Sequence, residues 1–148
     1  MEFTNIINQI GNTPLIKLKQ VSDLTGCNIY GKAEYFNPGE SVKDRAALYI
    51  VKDALNKKLI EKGGIIVEGT AGNTGIGLAV VCKEFDLKLK IVIPKTQSIE
   101  KKNTLKKLGA ELIEVDAVPY SNPNNYIKQS KRIAEELSKK HNHGVVWG

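Results

Sequence analysis

The sequence predicts an α/β fold, a parallel sheet flanked by helices in three αβα layers. Two observations carry this. Short β-branched runs alternate with longer stretches of helical periodicity, and the connections between them are short. The 148 residues hold 41% hydrophobic and 26% charged residues, ordinary globular usage with enough apolar material for a core. That composition excludes collagenous, wholly disordered and disulfide-stapled chains.

The elements follow in order. Pro14-Leu15-Ile16-Lys17-Leu18 reads as a short strand after an Asn12-Thr13 turn, and 28–35 as a second, closed by Asn37-Pro38-Gly39. A helix over 42–58 places Ala46, Tyr49, Ile50, Ala54 and Leu55 on one stripe, with Gly63-Gly64 as its stop. The alternation then becomes regular. Strands are predicted at 65–68, 89–93, 111–115 and 145–147, and helices at 74–85, 98–108 and 124–140. Strand–helix–strand repeats with short loops give parallel pairing. Ligands of such sheets sit beyond the carboxyl ends of the strands, which draws attention to residues 69–75.

Charge and location constrain the function classes. The net charge is +6, but only Arg45 and Arg132 are arginines. The lysine pairs 57–58, 101–102, 106–107 and 139–140 are spread along helices with acidic neighbours, so they read as solvated faces rather than a nucleic-acid surface. The longest apolar runs, such as Leu78-Ala79-Val80-Val81-Cys82, fall far short of the ~20 residues of a membrane span. The start, Met1-Glu2-Phe3-Thr4-Asn5, lacks the pattern of a secretory signal, and the expectation is a soluble cytoplasmic protein. Cys27 and Cys82 have no CxxC spacing and read as buried free thiols. His141 and His143 are two apart with no ligand cluster around them, so a surface turn is expected and no metal site.

Two motifs can carry chemistry. In Ser41-Val42-Lys43-Asp44-Arg45, Ser41 and Asp44 resemble a capping box, which puts Lys43 in the first helical turn. There the helix dipole disfavours an ammonium by a few tenths to about 1 kcal/mol. Such a position suits a lysine that attacks a carbonyl; a lysine simply reaching out to solvent also fits. In Glu68-Gly69-Thr70-Ala71-Gly72-Asn73-Thr74-Gly75-Ile76-Gly77, a strand ends and a helix opens. Free N–H groups at a helix start bind phosphate or carboxylate, and Thr70, Asn73 and Thr74 add polar side chains. The run is neither a P-loop nor a dinucleotide fingerprint. A tight turn with glycine there for packing is the other reading.

Taken with Asn12-Thr13-Pro14-Leu15, Ile93-Pro94-Lys95-Thr96-Gln97-Ser98 and Leu105-Lys106-Lys107-Leu108-Gly109-Ala110-Glu111, these motifs resemble the cysteine synthase and cystathionine β-synthase family. These are pyridoxal-phosphate enzymes of the tryptophan-synthase-β fold type. The resemblance runs from about Ile7 to Trp147. The segment Val118-Pro119-Tyr120-Ser121-Asn122-Pro123-Asn124-Asn125-Tyr126 points to a cysteine-synthase-like branch. By this resemblance Lys43 forms a Schiff base with pyridoxal 5'-phosphate and later moves the α-proton. Asn73 contacts the cofactor's phenolic oxygen, and Thr70, Ala71, Gly72, Asn73 and Thr74 grip the substrate carboxylate. The implied reaction is β-replacement, O-acetylserine plus sulfide giving cysteine. The motifs are shared with cystathionine β-synthase, serine or threonine dehydratases and enzymes making other β-substituted alanines. A non-catalytic half-length binding module is the alternative of another class.

Two departures stand out. Ala71 replaces a serine common in the family, which bears on substrate choice. The family's catalytic region is also about twice as long, and no Gly-x-Gly-Gly-Thr-like phosphate loop follows Lys43. The resemblance therefore implies an N-terminal portion only. Residues 1–45 would be a leader that packs on a larger domain, 46–148 would be the small α/β domain, and the full-length protein would be a homodimer.

Overall fold

The computed structural model describes residues 5–148. The start of the chain, read above for a secretory signal, includes residues 1–4 and so lies partly outside the described residues. No helix among those described is long and apolar enough to cross a membrane.

The first two strands form a small antiparallel sheet. Strands β1 (Leu15–Lys17) and β2 (Tyr30–Lys32) pair antiparallel, with Leu15 opposite Lys32. Between them lies helix α1 (Lys19–Thr25), which the sequence reading did not anticipate. Its apolar residues Val21 and Leu24 both face solvent, so no hydrophobic stripe betrays it. Ser22 is buried instead; its Oγ donates to Leu18 O at 2.7 Å and accepts from Ile29 N at 3.0 Å. The strand expected over 28–35 is cut to three residues, because Glu34–Phe36 winds into a 3-10 turn.

That turn aims Glu34 at the main helix. The Arg45 guanidinium grips it through two hydrogen bonds, Nε to Oε2 at 2.9 Å and Nη2 to Oε1 at 2.8 Å. Arg45 also donates to Gly11 O, and Asn37 donates to Glu34 while accepting from Gly11 N. The hydrogen bond from Arg45 holds the Glu34 carboxyl down at about 2. Leader and helix are thus tied by polar groups, with Ile7 and Ile10 packed on the apolar core beside them.

The α/β unit carries helices α2 (Lys43–Asn56), α3 (Asn73–Glu84), α4 (Ile99–Lys107) and α5 (Tyr126–Ser138). Its strands are β3 (Ile65–Gly69), β4 (Lys88–Pro94), β5 (Glu111–Val115) and β6 (Val145–Trp147). They form one parallel sheet in the order β5-β4-β3-β6. Side chains alternate across the sheet. Ile66, Leu89, Ile91 and Ile93 join Ala47, Val51, Leu78 and Leu105 in one apolar layer under α2, α3 and α4. Ile65, Val67 and Val92 join Ala134 in a second layer under α5. Both faces are covered, so the central strands are apolar throughout rather than alternating. The expected three-layer architecture is the observed one.

Several local readings are corrected. Helix α2 ends at Asn56, well before Gly63, and Lys58 takes a left-handed φ of 56° just beyond it. Cys27 is exposed, and only Cys82 is buried; Cys27 sits in the leader, where nothing covers it. Lys102 is not a solvated lysine. It is 7% exposed, and its Nζ donates to Glu114 and to Lys95 O. His143 lies on the surface as expected, 2.7 Å from a Glu61 oxygen. No cluster of metal-ligating side chains occurs among the described residues.

Candidate active site at the carboxyl end of the central strand

Strand β3 sits where the winding of the sheet reverses. β4 and β5 follow on one side of it, and β6 lies on the other. Helices α3 and α5 leave on opposite faces, so a crevice opens beyond the carboxyl end of β3, the position where ligands of such sheets bind. The loop after β3 is Thr70-Ala71-Gly72, and α3 begins at Asn73.

Each part of this loop has a structural cause. Gly69 lets α5 come close: a Cβ there would lie 2.6 Å from Ser130 Oγ and 2.8 Å from Ile127 Cα. Thr70 is buried, its N–H bonded to Val92 O and its Oγ1 accepting from Gly72 N at 3.2 Å. Ala71 O accepts from Gln97 Nε2. A Cβ on Gly72 would meet nothing within 4 Å, so the space above the loop is open. Helix α3 has no side-chain cap, and the Asn73 and Thr74 N–H groups have no acceptor among the described residues. A helix start left open in this way is an anion site in the making.

Lys43 is the first residue of α2 and is exposed. Ser41 Oγ accepts from its backbone N–H at 3.2 Å, while the helix N-cap falls on Val42 rather than Ser41. The capping box does not close. The short Asp44 side chain turns away from Ser41 and accepts from Gly39 N instead. Asp44 is fully buried, its Oδ1 has no partner, and burial pushes its carboxyl pKa up.

The starts of α2 and α3 meet through Gly77. A Cβ on Gly77 would lie 3.1 Å from both the backbone N and the Cα of Asp44. Gly77 is about one helical turn after Asn73, so the helix bearing Lys43 is pressed against the turn that carries the open loop. The two motifs, distant in sequence, therefore lie side by side. The Lys43 ammonium, the Asn73 amide and the Thr74 hydroxyl make no hydrogen bond or ion pair among the described residues.

Sequence reasoning passed over two groups. Glu68, one residue before the end of β3, projects toward the α2–α3 layer. It is half-buried, its Oε2 has no partner, and burial pushes its carboxyl up to about 7. An acidic residue directly after Ile65-Ile66-Val67 was the available signal. Gln97 is the second; it stands in the Ile93-to-Ser98 stretch that carries the resemblance, but nothing in that stretch assigns the glutamine a role.

The donor chemistry suits pyridoxal phosphate and an amino acid. An unengaged amine can bond to an aldehyde, a side-chain amide can meet a phenolic oxygen, and free N–H groups above open space can hold a carboxylate. Fold and site together define an α/β domain in which the helix that begins at Lys43 packs against a helix whose start is open. The family model described as pyridoxal-phosphate dependent enzyme matches residues 6–147, and the chain belongs to that family.

Individual relatives narrow the likeness. The chain is 59% identical over 138 residues to cysteine synthase 1 of Neurospora crassa, covering 93% of this chain and 35% of that protein. Among solved structures it is similar to a hydrogen sulfide-producing enzyme from Fusobacterium nucleatum, with a TM-score of 0.77 and 37% identity over 99% of this chain and 45% of that one. It is also similar to O-ureido-L-serine synthase, with a TM-score of 0.81 and 34% identity over 98% of this chain and 44% of that one. The chain thus spans about a third of the curated relative and under half of either solved structure.

Proposed function

We propose that this chain is the lysine-bearing portion of a cysteine-synthase-like enzyme that makes cysteine from O-acetylserine and sulfide. The observation that supports this reading is the packing of Gly77 on the backbone of Asp44, which brings the helix that begins at Lys43 against the helix whose start is open. The 59% identity to a cysteine synthase supports the branch.

Pyridoxal phosphate, when bound, supplies the electron sink for chemistry at the substrate's α and β carbons. Lys43 Nζ would hold the cofactor, and its free amine would take and return the α-proton of the substrate. The Lys43 ammonium makes no hydrogen bond or ion pair among the described residues. The Asn73 side-chain amide would meet the cofactor's phenolic oxygen. The N–H groups of Asn73 and Thr74, with the Thr74 hydroxyl, hold the substrate carboxylate. Thr70 contributes its hydroxyl proton and also shapes the loop through its bond from Gly72 N. Gly72 keeps the approach open. Ala71 places a methyl where a hydroxyl could contact substrate or leaving group, which bears on substrate choice.

The leader, residues 1–45, packs on the larger domain of the full-length enzyme. Its exposed Leu15, Leu24, Tyr35 and Phe36 are the surface for that contact. The full-length enzyme is a cytoplasmic homodimer. The test is Lys43→Ala in a polypeptide that extends this chain to the length of its relatives. Cysteine formation should disappear while the circular dichroism spectrum is unchanged; retained turnover refutes the assignment.

A further inference from the structure

We infer that Gln97 is a positioning residue that clamps the Ala71–Gly72 peptide and so sets the direction of the N–H groups that open α3. This rests on the reading of residues 70–74 as the carboxylate loop. Both ends of that one peptide unit are held by side chains. Its carbonyl, Ala71 O, accepts from Gln97 Nε2 at 2.5 Å, and its N–H, from Gly72, is accepted by Thr70 Oγ1 at 3.2 Å.

A Cβ at Gly72 would touch nothing within 4 Å, so no neighbouring atom crowds that side of the peptide. Its orientation is set by the two hydrogen bonds. The next two N–H groups, of Asn73 and Thr74, follow rigidly from it because they begin the helix. A rotated peptide would turn the donors away from a bound carboxylate.

Gln97 is itself well anchored. Its backbone N–H donates to Pro94 O at 3.0 Å, at the end of β4. Its Oε1 accepts from Ser98 N at 3.1 Å, and Ser98 caps α4. With its acceptor used on the α4 side and a donor on the loop side, Gln97 links the start of α4 to the start of α3. Donor and acceptor roles are separable in the side chain. Glutamate keeps the acceptor for Ser98 N but, when ionised, has no proton to give Ala71 O.

The test is Gln97→Glu at pH 7.5, with amide hydrogen exchange read residue by residue on the whole chain. The amides of Gly72 and Gly75, both bonded within the loop, should exchange about five- to tenfold faster, the effect of losing one hydrogen bond. The amides of Lys101 and Lys102 in the first turn of α4 should be unchanged, and the thermal midpoint should move by less than about 3 °C. Unchanged exchange at Gly72 and Gly75, or acceleration spread equally through α4, overturns the clamp. A titration with L-serine separates this from the reading beneath it. If L-serine shifts the Asn73 and Thr74 amide resonances of the unaltered chain, its affinity should fall about fivefold in Gln97→Glu, and equal affinity overturns the positioning role. If it shifts neither resonance in the unaltered chain, the carboxylate-loop reading fails, and the exchange data alone decide the clamp.

Discussion

Replacing Glu68 by glutamine should make the protein more stable at pH 8 and leave it nearly unchanged at pH 4.5. Burial raises the Glu68 carboxyl to about 7, against about 4.3 for a free side chain. The folded chain therefore keeps a proton that the unfolded chain releases between those values. Stability from this group is fully present below about pH 4.3, falls as pH rises through the window, and levels off above about 7. Each pH unit removes about 1.4 kcal/mol, so the ceiling is ~3.7 kcal/mol. Glu68 is only half-buried, and solvent screening brings the expected difference to about 2 kcal/mol. Glutamine has the same shape and no charge to lose. Urea unfolding of both chains, followed by Trp147 fluorescence at several pH values, reads the difference directly, and every other titrating group cancels between them. The two stability curves should diverge by about 2 kcal/mol between pH 4.5 and pH 8. Parallel curves would refute the argument.

Two further outcomes follow from the packing. Gly77→Ala should lower stability by about 1–2 kcal/mol, because the new Cβ meets the backbone of Asp44. Alanine in an open helix position gains up to about 1 kcal/mol, so a raised melting temperature would show that α2 and α3 do not meet there. Cys27 should react with a thiol reagent in the folded chain, while Cys82, buried and with its thiol pushed up to about 12, should react only on unfolding. Equal reaction rates in mass spectrometry would contradict the burial.

The parallel sheet was legible because β3 and β4 are buried on both faces, which writes Ile65-Ile66-Val67 and Ile91-Val92-Ile93 as unbroken apolar runs. The glycine-rich loop was legible because close approach of chains selects residue type, as at Gly69 against α5. What stayed hidden depends on tertiary partners. Helix α1 turns a buried serine inward rather than an apolar stripe. Lys102 looks like any surface lysine until Glu114 and Lys95 O are found around it. Asp44 has the spacing of a capping residue, but its carboxylate accepts from Gly39 N instead, so the box stays open. The packing of α2 on α3 at Gly77 brings the two motifs together, and no spacing along the chain encodes that contact.

The most direct measurement of the central claim is to add pyridoxal phosphate to the chain, reduce with borohydride and map the modified lysines by peptide mass spectrometry. A dominant label on Lys43 is expected, and it should weaken when Asn73 is replaced by alanine. Label scattered over surface lysines such as Lys57, Lys83 and Lys139, with Lys43 no higher than they are, would contradict it.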